Sequence, residues 1–222
     1  MTWRTRKTAE LFACLAERGG KPVKRNELLR ILWPDNYPNN AVAMLHNMIY
    51  SIRRELAPFG LSQLLQYKNR EYLMPADLLD CDLERIEKLC RAVEEKDLAY
   101  LTGQEDAFSS YWGIYLDGME NSWCELKKYY YEKCFIGGCE LLGDFFLREG
   151  RWKDGVRVLK AGLEVDSYSE ALAVKLMKCY IGLRDKKEGK KLYDSICKIY
   201  RFELESTPDQ AFVEAYEACI HG

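Results

Sequence analysis

Between Asn40 and Leu56 the chain reads NAVAMLHNMIYSIRREL, and its apolar residues Val42, Leu45, Ile49, Ile52 and Leu56 fall 3, 4, 3 and 4 positions apart. That spacing lines one side of a helix, so the stretch predicts a helix with those five residues inward. The other side carries Asn40, Ala43, Asn47, Tyr50, Ser51 and Arg54, and Glu55 is the one carboxylate in the run. A helix that buries one side and offers amides, hydroxyls and a guanidinium on the other suits a DNA major groove. An ordinary solvated helix face is the plain alternative. Met44 and Met48 read as packing residues, and His46, beside the stripe, as structural.

What flanks this helix narrows the choice. TRKTAELFACLAER (5–18) predicts a first helix with Thr5 as its cap and Leu11, Phe12 and Leu15 inward. Gly19 and Gly20 end it, and Lys21–Val23 is a short extended link. KRNELLRILW (24–33) predicts a second helix with Leu28, Leu29, Leu32 and Trp33 inward, stopped by Pro34. The turn-rich loop Pro34–Asn39 then leads to Asn40 as a natural cap. Beyond Ala57–Gly60, 65–67 and 72–74 read as strands around a turn at Lys68–Glu71. Three helices followed by a hairpin is the order of a winged helix. The second and third helices form its helix-turn-helix, and the hairpin is the wing, with a basic tip able to reach phosphates.

Charge separates this part from the rest. The net charge of −2 conceals 12 Lys+Arg against 6 Asp+Glu in residues 1–73, so the remainder is strongly acidic. The basic part suits nucleic acid and the acidic part does not. No apolar run is long enough to span a membrane, and MTWRTRKTAEL lacks the apolar segment of a secretory signal; a cytoplasmic protein is expected. Nine cysteines, an odd number without any CxxC, read as reduced core residues, and His46 and His221 make no metal-ligand pattern. No P-loop, GxSxG, HExxH or dinucleotide fingerprint occurs. No enzyme, metal or cofactor is expected.

From Asp82 onward everything reads as helix. DLERIEKLCRAVEE and DLAYLTGQEDAFSSY are two shorter segments, and helices are predicted over 122–149, 151–165, 168–182, 184–201 and 208–219. Ser122 with Glu125, Ser167 with Glu170, and Thr207 with Gln210 resemble capping boxes. LREGRWKDG (147–155) recurs 34 residues later as IGLRDKKEG, matching Phe146 with Tyr180, Leu147 with Ile181 and Leu159 with Tyr193. A helix-turn-helix unit of that period is the mark of tetratricopeptide-type stacking, which forms a concave surface for a partner or for the chain itself. A plain helical core is the alternative.

Both parts together resemble bacterial transcription activators of the antibiotic-regulatory-protein (SARP) type. The resemblance rests on WRTRKTAELFACL (3–15), GKPVKRNELLRILWP (20–34), MLHNMIYSIRREL (44–56), EYLMPADLLDCDLERIEKL (71–89) and YWGIYLDGMENSWCELKKYYYE (111–132). It implies a mainly α chain: an OmpR/PhoB-like winged helix-turn-helix over 1–76, then a tetratricopeptide-like bacterial transcriptional activator domain over 77–222. Three departures stand out. Glu71 occupies a position that is often Gly in the family, and Lys24 replaces a Ser or Thr cap. The antiparallel sheet that precedes the family's first helix is missing, which suggests a shortened form of a longer protein; some relatives also carry a receiver domain.

The expected function is a sequence-specific DNA-binding regulator, an activator by resemblance. Asn47, Tyr50, Ser51 and Arg54, with Asn40 and Ala43, would face bases. Arg4, Arg6, Lys7, Arg53, Lys68 and Arg70 would meet phosphates. The loop at Asp35, Asn36 and Tyr37 would face RNA polymerase by resemblance. A homodimer on two half-sites about one helical turn apart is expected. The competing reading is a protein-interaction scaffold with a degenerate winged helix, favoured if Arg53, Arg54, Lys68 and Arg70 prove scattered or paired with acids.

Overall fold

The computed structural model describes residues 3–35, 37–78, 81–119 and 121–222. The chain divides into two compact units, 1–84 with 116–126 and 85–115 with 127–222.

In the first unit α1 spans Arg6–Glu17, and the Thr5 hydroxyl accepts the Thr8 amide as its cap. Gly19 and Gly20 follow with φ of 54° and 85°, a region glycine enters without a Cβ clash. α2 spans Arg25–Leu32 and α3 spans Ala41–Leu56. Leu11, Leu15, Leu28, Leu29, Leu32, Leu45 and Ile52 are at most 2% exposed and close one core with Leu64, Leu65, Tyr72 and Met74. Trp123, from the 116–126 segment, packs against that core.

Lys21–Val23 is more than a link. Val23–Lys24 form a short strand, β1, which pairs antiparallel with β3 (Glu71–Leu73). β3 also pairs with β2 (Gln66–Lys68), giving the order β1-β3-β2. The wing's strands therefore run one residue further toward its tip than the alternation suggests. Its loop is only Asn69-Arg70, with φ of 53° and 66°; two left-handed residues make the type I′ turn that matches strand twist. Asn40 occupies the cap position of α3, but its side chain makes no capping bond. Lys24, before α2, makes none either.

In the second unit α4 (Leu83–Glu94) enters from residue 85 and α6 (Ser122–Arg148) from residue 127. The segment predicted as one helix at 97–111 is instead α5 (Leu98–Thr102), capped by Asp97, and a separate 3-10 turn at Glu105–Phe108. Arg151 joins Glu105 at 3.0 Å and Asp154 at 2.7 Å, and Arg157 meets Asp106 at 2.7 Å. These pairs hold the turn to α7 (Trp152–Val165). α8 (Glu170–Leu183), α9 (Lys186–Glu203) and α10 (Gln210–His221) complete the unit.

The repeat is visible in the backbone. Arg151 N–H donates to the Phe146 carbonyl at 2.8 Å, and Asp185 N–H donates to the Tyr180 carbonyl at 2.9 Å. Gly150 and Arg184 are the left-handed residues of these two matching turns. Gly155 and Gly189 also correspond: a Cβ there would lie 2.7 Å from Cys179 Sγ and 2.5 Å from Cys219 Sγ, so both helices approach a neighbour where only hydrogen fits. The predicted capping boxes slip, however. Ser122 lies inside its helix, Ser169 rather than Ser167 caps α8, and Asp209 precedes α10 without a side-chain capping bond. All nine cysteines are free; Cys81 is exposed and Cys197 half-buried, the others buried. No helix among the described residues is long and apolar enough to cross a membrane.

Candidate nucleic-acid interface

α3 turns Ala41, Leu45, Met48, Ile49, Ser51, Ile52 and Leu56 toward the core. The opposite side is a row of Ala43, Asn47, Tyr50 and Arg54, all exposed. The spacing of 4, 3 and 4 stacks these side chains along one line of the helix. From first to last the row covers roughly 16 Å at ~1.5 Å per residue, the length of about five base pairs at ~3.4 Å each. Tyr50 is 68% exposed. Arg54 lies 3.1 Å from the Glu55 carboxylate, a surface pair of small net strength that leaves the guanidinium able to turn elsewhere. Asn40 is exposed just before the row.

Two residues join this face that periodicity assigned elsewhere. Val42 is 39% exposed instead of inward, and His46, one turn on, is exposed instead of packed. Their i, i+4 spacing places them beside the Ala43–Asn47 row, a signal the sequence carried. Conversely, Ser51 leaves the face. It is 7% exposed and its hydroxyl has no hydrogen-bond partner in the structure, so it offers nothing to a groove.

The expected phosphate contacts divide sharply. Arg53 Nε and Nη2 both donate to the Leu65 carbonyl, at 3.2 and 2.9 Å. This guanidinium is a strut from α3 to the chain entering β2, with two of its five N–H donors held by one carbonyl. Lys7 Nζ donates to the Leu32 carbonyl at the end of α2 at 2.6 Å and lies 2.8 Å from the Glu10 carboxylate, with Arg6 Nε 3.5 Å from the same group. Glu10 is 2% exposed. A carboxylate so buried needs compensating charge; Lys7 supplies it at close range, and Arg6, half exposed, adds to it from the surface. Arg4, Lys68 and Arg70 are exposed.

β1 and the residues on either side of it add cations that the sequence alone did not single out. Lys21, Lys24 and Arg25 are exposed. In the sheet register Lys24 and Lys68 both stand opposite Glu71, so the acid next to the turn of the wing sits between two lysines. On the other face of the sheet Tyr67 packs against Tyr72 at 4.6 Å. Burial, and then the neighbouring Tyr67, pushes the Tyr72 phenol above its ordinary value and keeps it neutral. Asp35 and Tyr37 of the loop before α3 are exposed; Asn36 lies outside the described residues. Among the described residues no three His, Cys, Asp or Glu side chains gather where one metal ion could be held.

The arrangement amounts to one side of a helix bearing methyl groups, an imidazole, an amide, a phenol and a guanidinium, with a cationic hairpin in the same unit. The family model "bacterial transcriptional activator domain" matches residues 81–219. The model "transcriptional regulatory protein, C terminal" matches residues 2–70. Among solved structures, Mycobacterium tuberculosis EmbR in complex with low affinity phosphopeptide is similar with a TM-score of 0.63 and 18% identity, covering 100% of this chain and 60% of that one. At that identity the likeness is one of fold, and this chain spans only about 60% of the EmbR chain's length. No curated protein matches the chain.

Proposed function

We propose a function from a family premise: the chain belongs to the bacterial transcriptional activator domain family, and it regulates transcription by binding double-stranded DNA in a sequence-specific way. The observation that carries the DNA-reading step is the exposed row Ala43, Asn47, Tyr50 and Arg54 on α3, with Val42 and His46 beside it. Lying in a major groove, Asn47 pairs with an adenine edge and Arg54 with a guanine edge, each contributing roughly 1–3 kcal/mol of discrimination. Arg54 leaves Glu55 to do so. The methyl groups of Val42 and Ala43 suit thymine methyls, and Asn40 and Tyr50 complete the reading face. Arg4, Lys68 and Arg70 meet phosphates; Lys24 and Arg25 extend that set along the sheet.

In this reading residues 1–76 bind DNA, and residues 77–222 serve self-association or contact with a partner. A winged helix reads a short half-site, so the active form is a homodimer on two half-sites about one helical turn apart. Asp35 and Tyr37 are the side chains offered to RNA polymerase, which makes the regulator an activator. Its work on DNA places it in the cytoplasm.

Selection from random-sequence duplexes followed by sequencing tests the reading. The expected result is an enriched half-site, repeated at about 10–11 base pairs, whose affinity falls steeply with salt. Recovery of no enriched sequence, with binding indifferent to Asn47→Ala and Arg54→Ala, would overturn it and favour a protein-interaction scaffold.

A further inference from the structure

Within the second unit α4 and α6 meet along a row of constant offset. Tyr131 Oη of α6 lies 3.5 Å from the Glu87 carboxylate of α4, across a separation of 44 residues. Six residues further on, a Cβ placed on Gly137 would lie 3.2 Å from Val93 Cγ1, so the helices approach where α6 has no side chain. Val93 and Gly137 keep the same offset as Glu87 and Tyr131. Midway between these two contacts, at that offset again, stand Cys90 and Cys134.

Both thiols are buried, but unequally: Cys90 is 0% exposed and Cys134 is 6% exposed. The Cys90 and Cys134 thiols are in side-chain contact, and the Tyr130 hydroxyl meets the Glu94 carboxylate first and the Cys134 sulfur beside it. Tyr130 is 38% exposed, so this cluster lies close to solvent. Contact with Cys90, and then with Tyr130, holds the Cys134 thiol below its ordinary value against burial and the nearby Glu94 charge, while the same contact and burial push the Cys90 thiol up. Cys134, the less deeply enclosed of the two, is the sulfur peroxide reaches first, and Cys90, fully enclosed behind it, is the one that resolves the product.

We propose that Cys134 and Cys90 form a peroxide-sensitive dithiol that closes into a disulfide between α4 and α6. Cys134, as its thiolate, attacks one oxygen of hydrogen peroxide. The O–O bond breaks, and the departing hydroxide takes up the proton Cys134 has lost and leaves as water. Cys134 is now a sulfenic acid. The Cys90 sulfur attacks the Cys134 sulfur, the S–O bond breaks, and hydroxide leaves with the Cys90 proton as a second water. Two thiols have lost two electrons and two protons, and the peroxide has been reduced to two waters. A dithiol reductant reverses the step by exchange. By contrast, burial holds up the thiols of Cys139 and Cys179, and Cys81 is exposed.

The test treats the full chain with one equivalent of hydrogen peroxide, blocks remaining thiols with N-ethylmaleimide in denaturant, and maps the peptides by mass spectrometry. The expected product is a Cys90–Cys134 linked peptide pair that disappears with dithiothreitol. In Cys90→Ser, peroxide with dimedone should leave a sulfenic-acid adduct on Cys134; in Cys134→Ser, Cys90 should be recovered blocked by N-ethylmaleimide. Recovery of Cys90 and Cys134 both as N-ethylmaleimide adducts, with oxidation at Cys81 or Cys197 instead, would overturn the proposal. So would a Cys90→Ser chain whose Cys134 takes no dimedone.

Discussion

At the start of α1, Arg6 and Lys7 close around the buried carboxylate of Glu10, and Lys7 also meets the last carbonyl of α2. At the tip of the wing, Lys68 and Arg70 stand in water. The same contrast recurs between adjacent residues of α3: Arg53 is bonded twice to the Leu65 carbonyl, whereas Arg54 has only an exposed partner. All these residues contribute equally to the positive charge of the first 73 positions. They do not contribute equally to a surface that an anion can approach. A basic stretch thus contains two populations, one that holds the winged helix together and one that is available for binding. Substitution separates them, because the first should register in stability and the second in DNA binding.

The largest effect is expected at Lys7. Lys7→Met leaves the Glu10 carboxylate with a weaker partner and should lower unfolding free energy by about 3 kcal/mol, read by urea denaturation. Adding Glu10→Gln should restore most of the loss; a double variant as weak as the single one would mean that the ion pair is not the cause. Next comes Arg53→Ala, which removes two charge-assisted bonds to one carbonyl and should cost roughly 2 kcal/mol. Arg53→Lys cannot make the forked contact and should fall between.

Arg54→Ala sharpens the contrast from the other side. Stability should stay within about 0.5 kcal/mol of the parent, while discrimination at one base pair falls by roughly 1–3 kcal/mol. A stability loss at Arg54 equal to that at Arg53 would erase the distinction between the two. The smallest effect is expected at Arg70, a non-glycine residue with φ of 66° in the wing turn. Arg70→Gly should stabilise the first unit by about 1 kcal/mol and still lose a phosphate contact, lowering the salt slope by about 0.9. Arg70→Ala should lose the contact without the stabilisation.

Much of this was legible beforehand because it is local. The 3.6-residue period set the limits of α3 and the outward positions of Asn47, Tyr50 and Arg54. The 34-residue recurrence foretold the matching turns at Gly150 and Arg184, and Asn69-Arg70 falls within the turn expected between the strands. What escaped is non-local or depends on small rotations. Val42 fits the apolar stripe by type, but the buried arc of α3 is centred on the side of Ala41, Leu45, Ile52 and Leu56, which leaves Val42 at its edge. Ser51 is polar by type and lies at the edge of the buried arc, so core atoms cover it. The partners of Lys7 and Arg53 are carbonyls 25 and 12 residues away, and no spacing rule finds them. β1 is two residues long, too short to alternate. The capping pattern of Ser or Thr followed by Glu or Gln recurs by chance near true caps, which is why it slipped at Ser122, Ser167 and Thr207.

The central claim is that the exposed row of α3 reads bases. The direct measurement is the affinity of the full chain for the selected duplex and for the same duplex with its half-sites scrambled, across a salt series, for the parent and for Asn47→Ala. The account predicts that the parent binds the selected duplex at least ten-fold more tightly. It also predicts that Asn47→Ala loses most of this preference at a single base pair while the salt slope stays the same. Equal affinity for both duplexes, unchanged by the substitution, would contradict it.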